Sequence, residues 1–425
     1  MKRLVLLLII ALASAQPASA KLRQDPVAAW NDLALETVRL TRASDTDAAR
    51  SYAMVNAAIY DAVNGIASQH RRRAHLLKPP KGAPPQGDQH AAAAAAAHAV
   101  LTRLYPDYTD RYDDQLKADL GEGPRVAAGR AWGESVGTYI FDLRTTDGSR
   151  PVETQPPGSG PEIFPQAWSG TQYRNMAPFG ILDAARYVGP GPSPLASLDY
   201  AAAFAEVKLV GDARIPDSGK SALYQYWSLP TGSAQPPGEW LKIALKVSAQ
   251  LPLTQKSRLF ALLGTAMSDA SIPTTRTKFV HRHWRPETAI QQADTDGNPH
   301  TEKDPAWKPR AGSPGSTPEY ISGHSSFSAT AATVLGGFFC ADRIPFTHVT
   351  DSAPTDPATG RPMERTFASF SEAAAEAGRS RVVGGVHFEF SNQAGLTMGR
   401  NVAAEILSRK LLYTTPPTHH GQCPL

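Results

Sequence analysis

Two of the 425 residues are cysteine, Cys340 and Cys423, so at most one bridge can form within the chain, and sequence does not show whether the two come close enough. Charge of one sign is also missing. Lys and Arg number 43 against 39 Asp and Glu, a formal net charge of +4, which leaves no electrostatic footprint for nucleic acid. Arg71-Arg72-Arg73 is the densest basic run and is read as a solvated helix end. Long apolar runs are absent apart from Leu4 to Ala13, which is too short to span a bilayer. Alternating β-branched stretches are scarce, no solenoid period is present, and no Gly-x-Ser-x-Gly elbow supports a serine hydrolase.

Met1-Lys2-Arg3, the Leu4 to Ala13 stretch and Ala18-Ser19-Ala20 together read as a removable secretory signal over residues 1–20. Its loss takes away two positive charges, Lys2 and Arg3, and brings the formal charge from +4 to +2. The expected location is secreted or periplasmic, with no membrane span and small water-soluble substrates.

Helical periodicity dominates the rest, with helices expected at 26–42, 47–68, 89–104, 125–143, 198–209, 241–249, 255–272, 322–339, 365–378 and 393–412. The predicted fold class is all-α: helical bundles in two packed halves joined by long Pro/Gly-rich loops. A division near residue 238 would separate an N-terminal helical half, 21–238, from a catalytic half, 239–425. The longest irregular stretch, Gly148 to Pro194, is expected to wrap the surface or lid a site.

Three short stretches carry the chemistry. Lys278 and Arg285, followed by Pro286, stand seven positions apart. On one helix that spacing returns two side chains to nearly the same face, about 10 Å apart, where a rigid fork and a point charge could grip one anion. A solvated basic face would account for that pair alone. Ser322-Gly323-His324 opens an apolar helix, with Ser322 at the N-cap, Gly323 allowing close approach to a ligand and His324 beside any anion held there. The ordinary alternative is a Ser cap with a solvent-facing His. Ser380-Arg381 precedes Gly384-Gly385 and His387. An unbroken helix would put Arg381 and His387 about 120° apart, whereas a bend at the glycines brings them to one point. A hydrogen-bonded core histidine is the alternative for His387.

Lys-x6-Arg-Pro, Ser-Gly-His and Ser-Arg-x5-His in this order resemble the signature of the vanadium-dependent haloperoxidases and the related acid phosphatases of the phosphatidic-acid phosphatase type 2 superfamily. Met54 to Asn64, Trp168 to Phe179, Tyr200 to Gly211 and Trp284 to Ile290 are similar to the secreted bacterial branch. The resemblance covers about residues 30 to 412. It implies vanadate as cofactor, with His387 the single protein ligand to vanadium. Lys278, Arg285, Arg381, Ser322 and Gly323 would hold its oxygens, and His324 would be the acid/base. It also implies that hydrogen peroxide and a halide, bromide ahead of chloride, are the substrates, with Lys278 polarising the oxidant and no redox change at the metal.

On the same residues a phosphatase would use His387 as nucleophile on a soluble phosphomonoester, giving a phosphohistidine, with His324 as acid and vanadate as inhibitor. A third reading is a catalytically silent oxyanion-binding protein. A zinc site at His281 and His283 is disfavoured, since on a helix those side chains point about 200° apart.

Three departures from the resembled pattern are Thr317, where halide-using members often carry an aromatic or His; Ile321, commonly Pro; and Ser391, where many have Asp. The first bears on halide preference, the second bends a loop, and the third removes a carboxylate expected behind the site. Asp61, an acid among apolar neighbours, is a secondary candidate. It is expected either to fix a cradle Arg or to cap something ordinary. Homo-oligomerisation is left open by the sequence.

Overall fold

The computed structural model describes residues 24–67, 74–79 and 81–410. The proposed signal, Arg71 to Arg73 and Cys423 lie outside the described residues. Cys340, which they include, is not a free thiol. Among the described residues there are thirteen α-helices and four strands of two or three residues, β1 (Thr154–Gln155) with β2 (Trp168–Ser169) and β3 (Phe346–His348) with β4 (Arg365–Phe367), each pair antiparallel. No helix of these residues is long and apolar enough to cross a membrane.

The first group of helices is α1 (Pro26–Thr41), α2 (Asp45–Ile66), α3 (Gln89–Leu104), α4 (Thr109–Asp119) and α5 (Pro124–Leu143). Their starts are chemically marked: the Asp25, Ser44 and Asp88 side chains accept from first-turn backbone N–H groups. After a long connector come α6 (Leu198–Val210), α7 (Ser218–Tyr226), α8 (Gln235–Val247), α9 (Leu253–His281) and α10 (Pro286–Gln291). The chain closes with α11 (Gly323–Phe339), α12 (Phe370–Val383) and α13 (Glu389–Arg409).

Helix α9 is the shared element. It packs against α2 on one side and against α11 and α13 on the other, while α2 also packs on α3 and α5. One apolar cluster accordingly runs from Val27 to Leu407 and includes residues on both sides of position 238. That position, where composition suggested a division, lies inside α8. The run Pro236-Pro237 reads as a connector, yet proline is tolerated in a helix's first turn, where its missing N–H would have no intrahelical partner. A smaller cluster around Tyr200, Phe204, Trp284, Trp307 and Phe388 backs the turn between α9 and α10.

Two helix pairs approach so closely that only glycine fits. On α5, a Cβ at Gly129, Gly133 or Gly137 would lie 2.3, 2.2 or 2.4 Å from the backbone oxygens of Asp88, Ala92 and Ala96. On α13, a Cβ at Gly395 would lie 2.6 Å from Ser322 O, and one at Gly399 would lie 2.4 Å from Ser326 O. The second contact mounts the start of α11 directly on α13.

The connector 148–194 wraps the surface and is tied to α9. The fully buried Asp269 carboxylate accepts from the backbone N–H groups of Phe179, Gly180 and Ile181 at 2.6, 2.6 and 2.9 Å. Burial pushes the Asp269 carboxyl up to about 6 against the pull of those three donors. Earlier in the connector, Phe164 N–H donates to Arg282 O and Trp284 N–H donates to Glu162 O, at 2.6 and 2.7 Å, clamping the chain as it leaves α9.

Gly133→Ala is expected to cost about 1–3 kcal/mol in chemical denaturation, because the new methyl meets the fixed Ala92 carbonyl. Gly219→Ala in α7, whose nearest atom is 3.5 Å away, should be neutral or slightly stabilising.

Candidate active site

Lys278 and Arg285 do not share a helix face. Helix α9 ends at His281, Arg282 adopts a left-handed conformation at φ 48°, and Arg285 precedes the first turn of α10. The shared helix face expected from the spacing is not formed, although the chain reversal still turns both cations inward. Lys278 donates to the Pro318 carbonyl, with the Glu319 carbonyl 3.4 Å away. Arg285 donates through Nε to Thr317 O (2.8 Å), through Nη2 to Thr317 Oγ1 (3.2 Å) and through Nη1 to Val386 O (2.6 Å).

Ser322 is the N-cap of α11, and its Oγ accepts from Ser325 N–H at 3.3 Å and Ser325 Oγ at 2.8 Å. Gly323 is the first helical residue, so the N-terminal N–H groups of α11 open on the site. His324 follows, its Nε2 3.1 Å from Ser228 O. A carbonyl only accepts, so Nε2 carries the proton and Nδ1 keeps its lone pair.

Arg381 lies in the last turn of α12, which ends at Val383; Gly384 is the cap and Gly385 follows at φ 75°. The bend expected at the glycine pair is present, and it brings His387 back to the same point. His387 Nε2 is 3.1 Å from Arg285 Nη1. The sequence-proposed residues Lys278, Arg285, Ser322, Gly323, His324, Arg381 and His387 thus form one neighbourhood. Asp61 is elsewhere. Its oxygens accept from Leu76 N–H (2.7 Å) and Leu77 N–H (3.0 Å), with His75 Nδ1 3.4 Å away, so it ties a neighbouring loop to α2 and holds no cradle Arg.

The electrostatics are those of excess buried positive charge. Burial, then Arg285, holds the Lys278 ammonium well below its usual value, with Glu319 and Asp45 opposing. Burial lowers Arg285 to about 10, with Glu319 opposing and Arg381 adding to the fall. Burial lowers Arg381 as well. His324 is driven well below the ordinary imidazole range by burial and then Arg381; His387 by burial and then Arg285, Lys278 and Arg381. Both imidazoles are neutral at physiological pH.

Three residues that sequence reasoning passed over belong to this neighbourhood. Glu319, fully buried, accepts at Oε1 from His387 Nδ1 (2.8 Å) and Phe388 N–H (3.0 Å), and burial pushes its carboxyl upward. It sits three residues before Ser322, where its position beside the Ser-Gly-His stretch was the one signal in the sequence. Asp45 at the start of α2 approaches Gly323: a Cβ there would lie 3.7 Å from Asp45 Oδ2. Nothing local in the sequence marks it. Tyr224 on α7 places its ring 5.1 Å from the Arg381 guanidinium.

A tetrahedral oxyanion such as vanadate or phosphate fits these residues. Arg381 is 8% exposed, and its Nε and Nη1 find no hydrogen-bond partner among the described residues. Buried donors on a permanent cation are costly to leave unpaired. They sit with a second Arg, a Lys, a helix N-terminus and an unprotonated imidazole nitrogen, the donor set that such an anion requires.

Residues 258–414 match the family model described as the VCPO second helical-bundle domain. A crystal structure described as the first bacterial vanadium-dependent iodoperoxidase shares the fold with a TM-score of 0.76 at 24% identity, over 93% of this chain and 98% of that one. A holo-type bacterial vanadium-dependent chloroperoxidase does so with a TM-score of 0.63 at 16% identity, over 86% and 91%. Among curated proteins none matches.

Orthovanadate or phosphate is expected to raise Tm, by the equivalent of about 2.7 kcal/mol at 100 times Kd. In the Arg381→Met variant the ligand-induced shift should vanish while the ligand-free protein melts higher than wild type, read by differential scanning calorimetry.

Proposed function

We propose that this chain, whose residues 258–414 match the VCPO second helical-bundle domain, is a vanadate-dependent haloperoxidase. It uses hydrogen peroxide to oxidise a halide, bromide ahead of chloride, to a hypohalous species. The observation that carries the reading is the pair of Arg381 donors left without a partner among the described residues, beside an unprotonated His387 Nε2 in a buried cationic pocket.

In this reading Lys278, Arg285 and Arg381, with the Ser322 hydroxyl and Gly323 N–H, hold the oxygens of vanadate, and His387 Nε2 is its one protein ligand. Vanadate so bound supplies a Lewis-acid centre that activates hydrogen peroxide for a two-electron oxidation of halide. The protein's own work is positional and protonic. The Thr317 carbonyl and hydroxyl and the Val386 carbonyl fix the Arg285 fork. His324, neutral and with Nε2–H committed to Ser228, takes a proton at Nδ1 from the incoming peroxide and can return it to a leaving oxygen. Lys278, held low by burial, has an ammonium that gains stability when negative charge builds beside it.

The catalytic groups all fall in 239–425, and the preceding half contributes Asp45, Tyr224 and the Ser228 carbonyl at the rim. We place the enzyme outside the cytoplasm on the strength of residues 1–20.

Purified protein loaded with orthovanadate should oxidise bromide with peroxide, followed by bromination of a phenolic dye; iodide and chloride set the halide range. Hydrolysis of a phosphomonoester, inhibited by vanadate, in place of halide oxidation would establish the phosphatase instead. Tight binding with neither activity would identify the silent oxyanion binder. His387→Ala should abolish either activity. Arg381→Ala should weaken vanadate binding on the order of 100-fold, from two charge-assisted bonds worth roughly 1.5 kcal/mol each.

A further inference from the structure

We propose that Glu319 is the positioning residue for His387: its carboxylate holds the Nδ1–H and so aims Nε2 into the cationic cradle, a task that Ser391 does not perform. The inference rests on the haloperoxidase reading for the identity of the anion, but its geometry stands on this chain alone.

The ring's protonation follows from its partners. Arg285 Nη1 can only donate, so His387 Nε2, 3.1 Å away, accepts. A neutral ring then carries its proton on Nδ1, and the nearest acceptor is Glu319 Oε1 at 2.8 Å. The same oxygen accepts from Phe388 N–H at 3.0 Å, which fixes the carboxylate against the backbone that carries the histidine. Ser391 Oγ is 3.5 Å from Nδ1 and instead lies 3.3 Å from the Glu319 carbonyl.

Glu319 is itself immobilised from several directions. Its N–H donates to His283 O at 2.8 Å, and its carbonyl faces Lys278 Nζ as well as Ser391. One residue therefore ties the end of α9, the α9–α10 turn and the start of α13 to the His387 ring. A carboxylate behind a ligating imidazole fixes its tautomer and orientation, and losing such a partner typically costs 10- to 100-fold in affinity.

The test uses the full protein in two measurements. In ligand-free protein, two-dimensional NMR of the ring nitrogens should show His387 as a single Nδ1–H tautomer, and Glu319→Ala should shift it to a mixture. By titration calorimetry with orthovanadate, Glu319→Ala should bind roughly 10- to 100-fold more weakly. Glu319→Gln, which keeps an acceptor oxygen, and Glu319→Ala combined with Ser391→Asp, which brings a carboxylate from the other side, should each recover most of that loss. A merely structural Glu319 would lower Tm without recovery by Ser391→Asp. The proposal is overturned if Glu319→Ala leaves both the tautomer and the affinity unchanged, or if neither Glu319→Gln nor Ser391→Asp recovers the loss. Wild-type protein that binds neither orthovanadate nor phosphate would defeat the functional reading, while the NMR comparison would still decide the role of Glu319.

Discussion

Three cationic side chains buried around one point are the constraint on which the structure turns. Removing a guanidinium or ammonium from water costs several kcal/mol unless partners replace the lost solvation. Here most replacement partners are neutral. The carbonyls of Pro318, Thr317 and Val386 take the donors of Lys278 and Arg285 and cancel none of the charge. Glu319 is the one fully buried carboxylate among them, and it spends an oxygen on His387 and Phe388. Positive potential is thereby preserved in the pocket, and the fold pays for a binding site with stability it could otherwise keep.

That constraint explains why four separate segments converge. A cation seven residues from another along one helix would face the same carbonyl-poor surface. Breaking α9 at Arg282 lets Arg285 arrive from a new direction with its fork supplied by a different loop. The connector at Ile163 bridges His283, and Phe164 and Trp284 bind on either side, so the break is clamped. Helix α13 reaches the start of α11 through Gly395 and Gly399, which sets Ser322 against the chain that follows His387.

Much of this was legible beforehand, and the failures have physical causes. The Ala-rich helices α3 and α5 read within a residue of their observed bounds, since small apolar runs with Asp or Pro at their starts leave little alternative. Helix α4 was missed because only Tyr112 and Leu116 are buried, too weak a stripe to show periodicity. The expected helix from Arg365 begins instead at Phe370, because Arg365–Phe367 pairs with Phe346–His348 as a strand. The three signature stretches named the cradle residues, but helical spacing misjudged how Lys278 and Arg285 meet. Glu319 escaped because its partner is 68 residues away, and Asp45 because it reaches Gly323 from another helix altogether.

Asp269 and Lys278 stand on the same helix, nine residues apart. The first receives Phe179 to Ile181, and the second faces the pocket. Tether and pocket cation thus share one rod, which makes different parts of the 148–194 segment unequally free to vary in relatives. At the exposed Ser159 and Gly160, residues could be added or lost while the rod stays put; at 162–164 and at 179–181 any insertion would pull on the support of the pocket itself. Divergence in that segment should therefore concentrate in its outer loop and spare its two anchors.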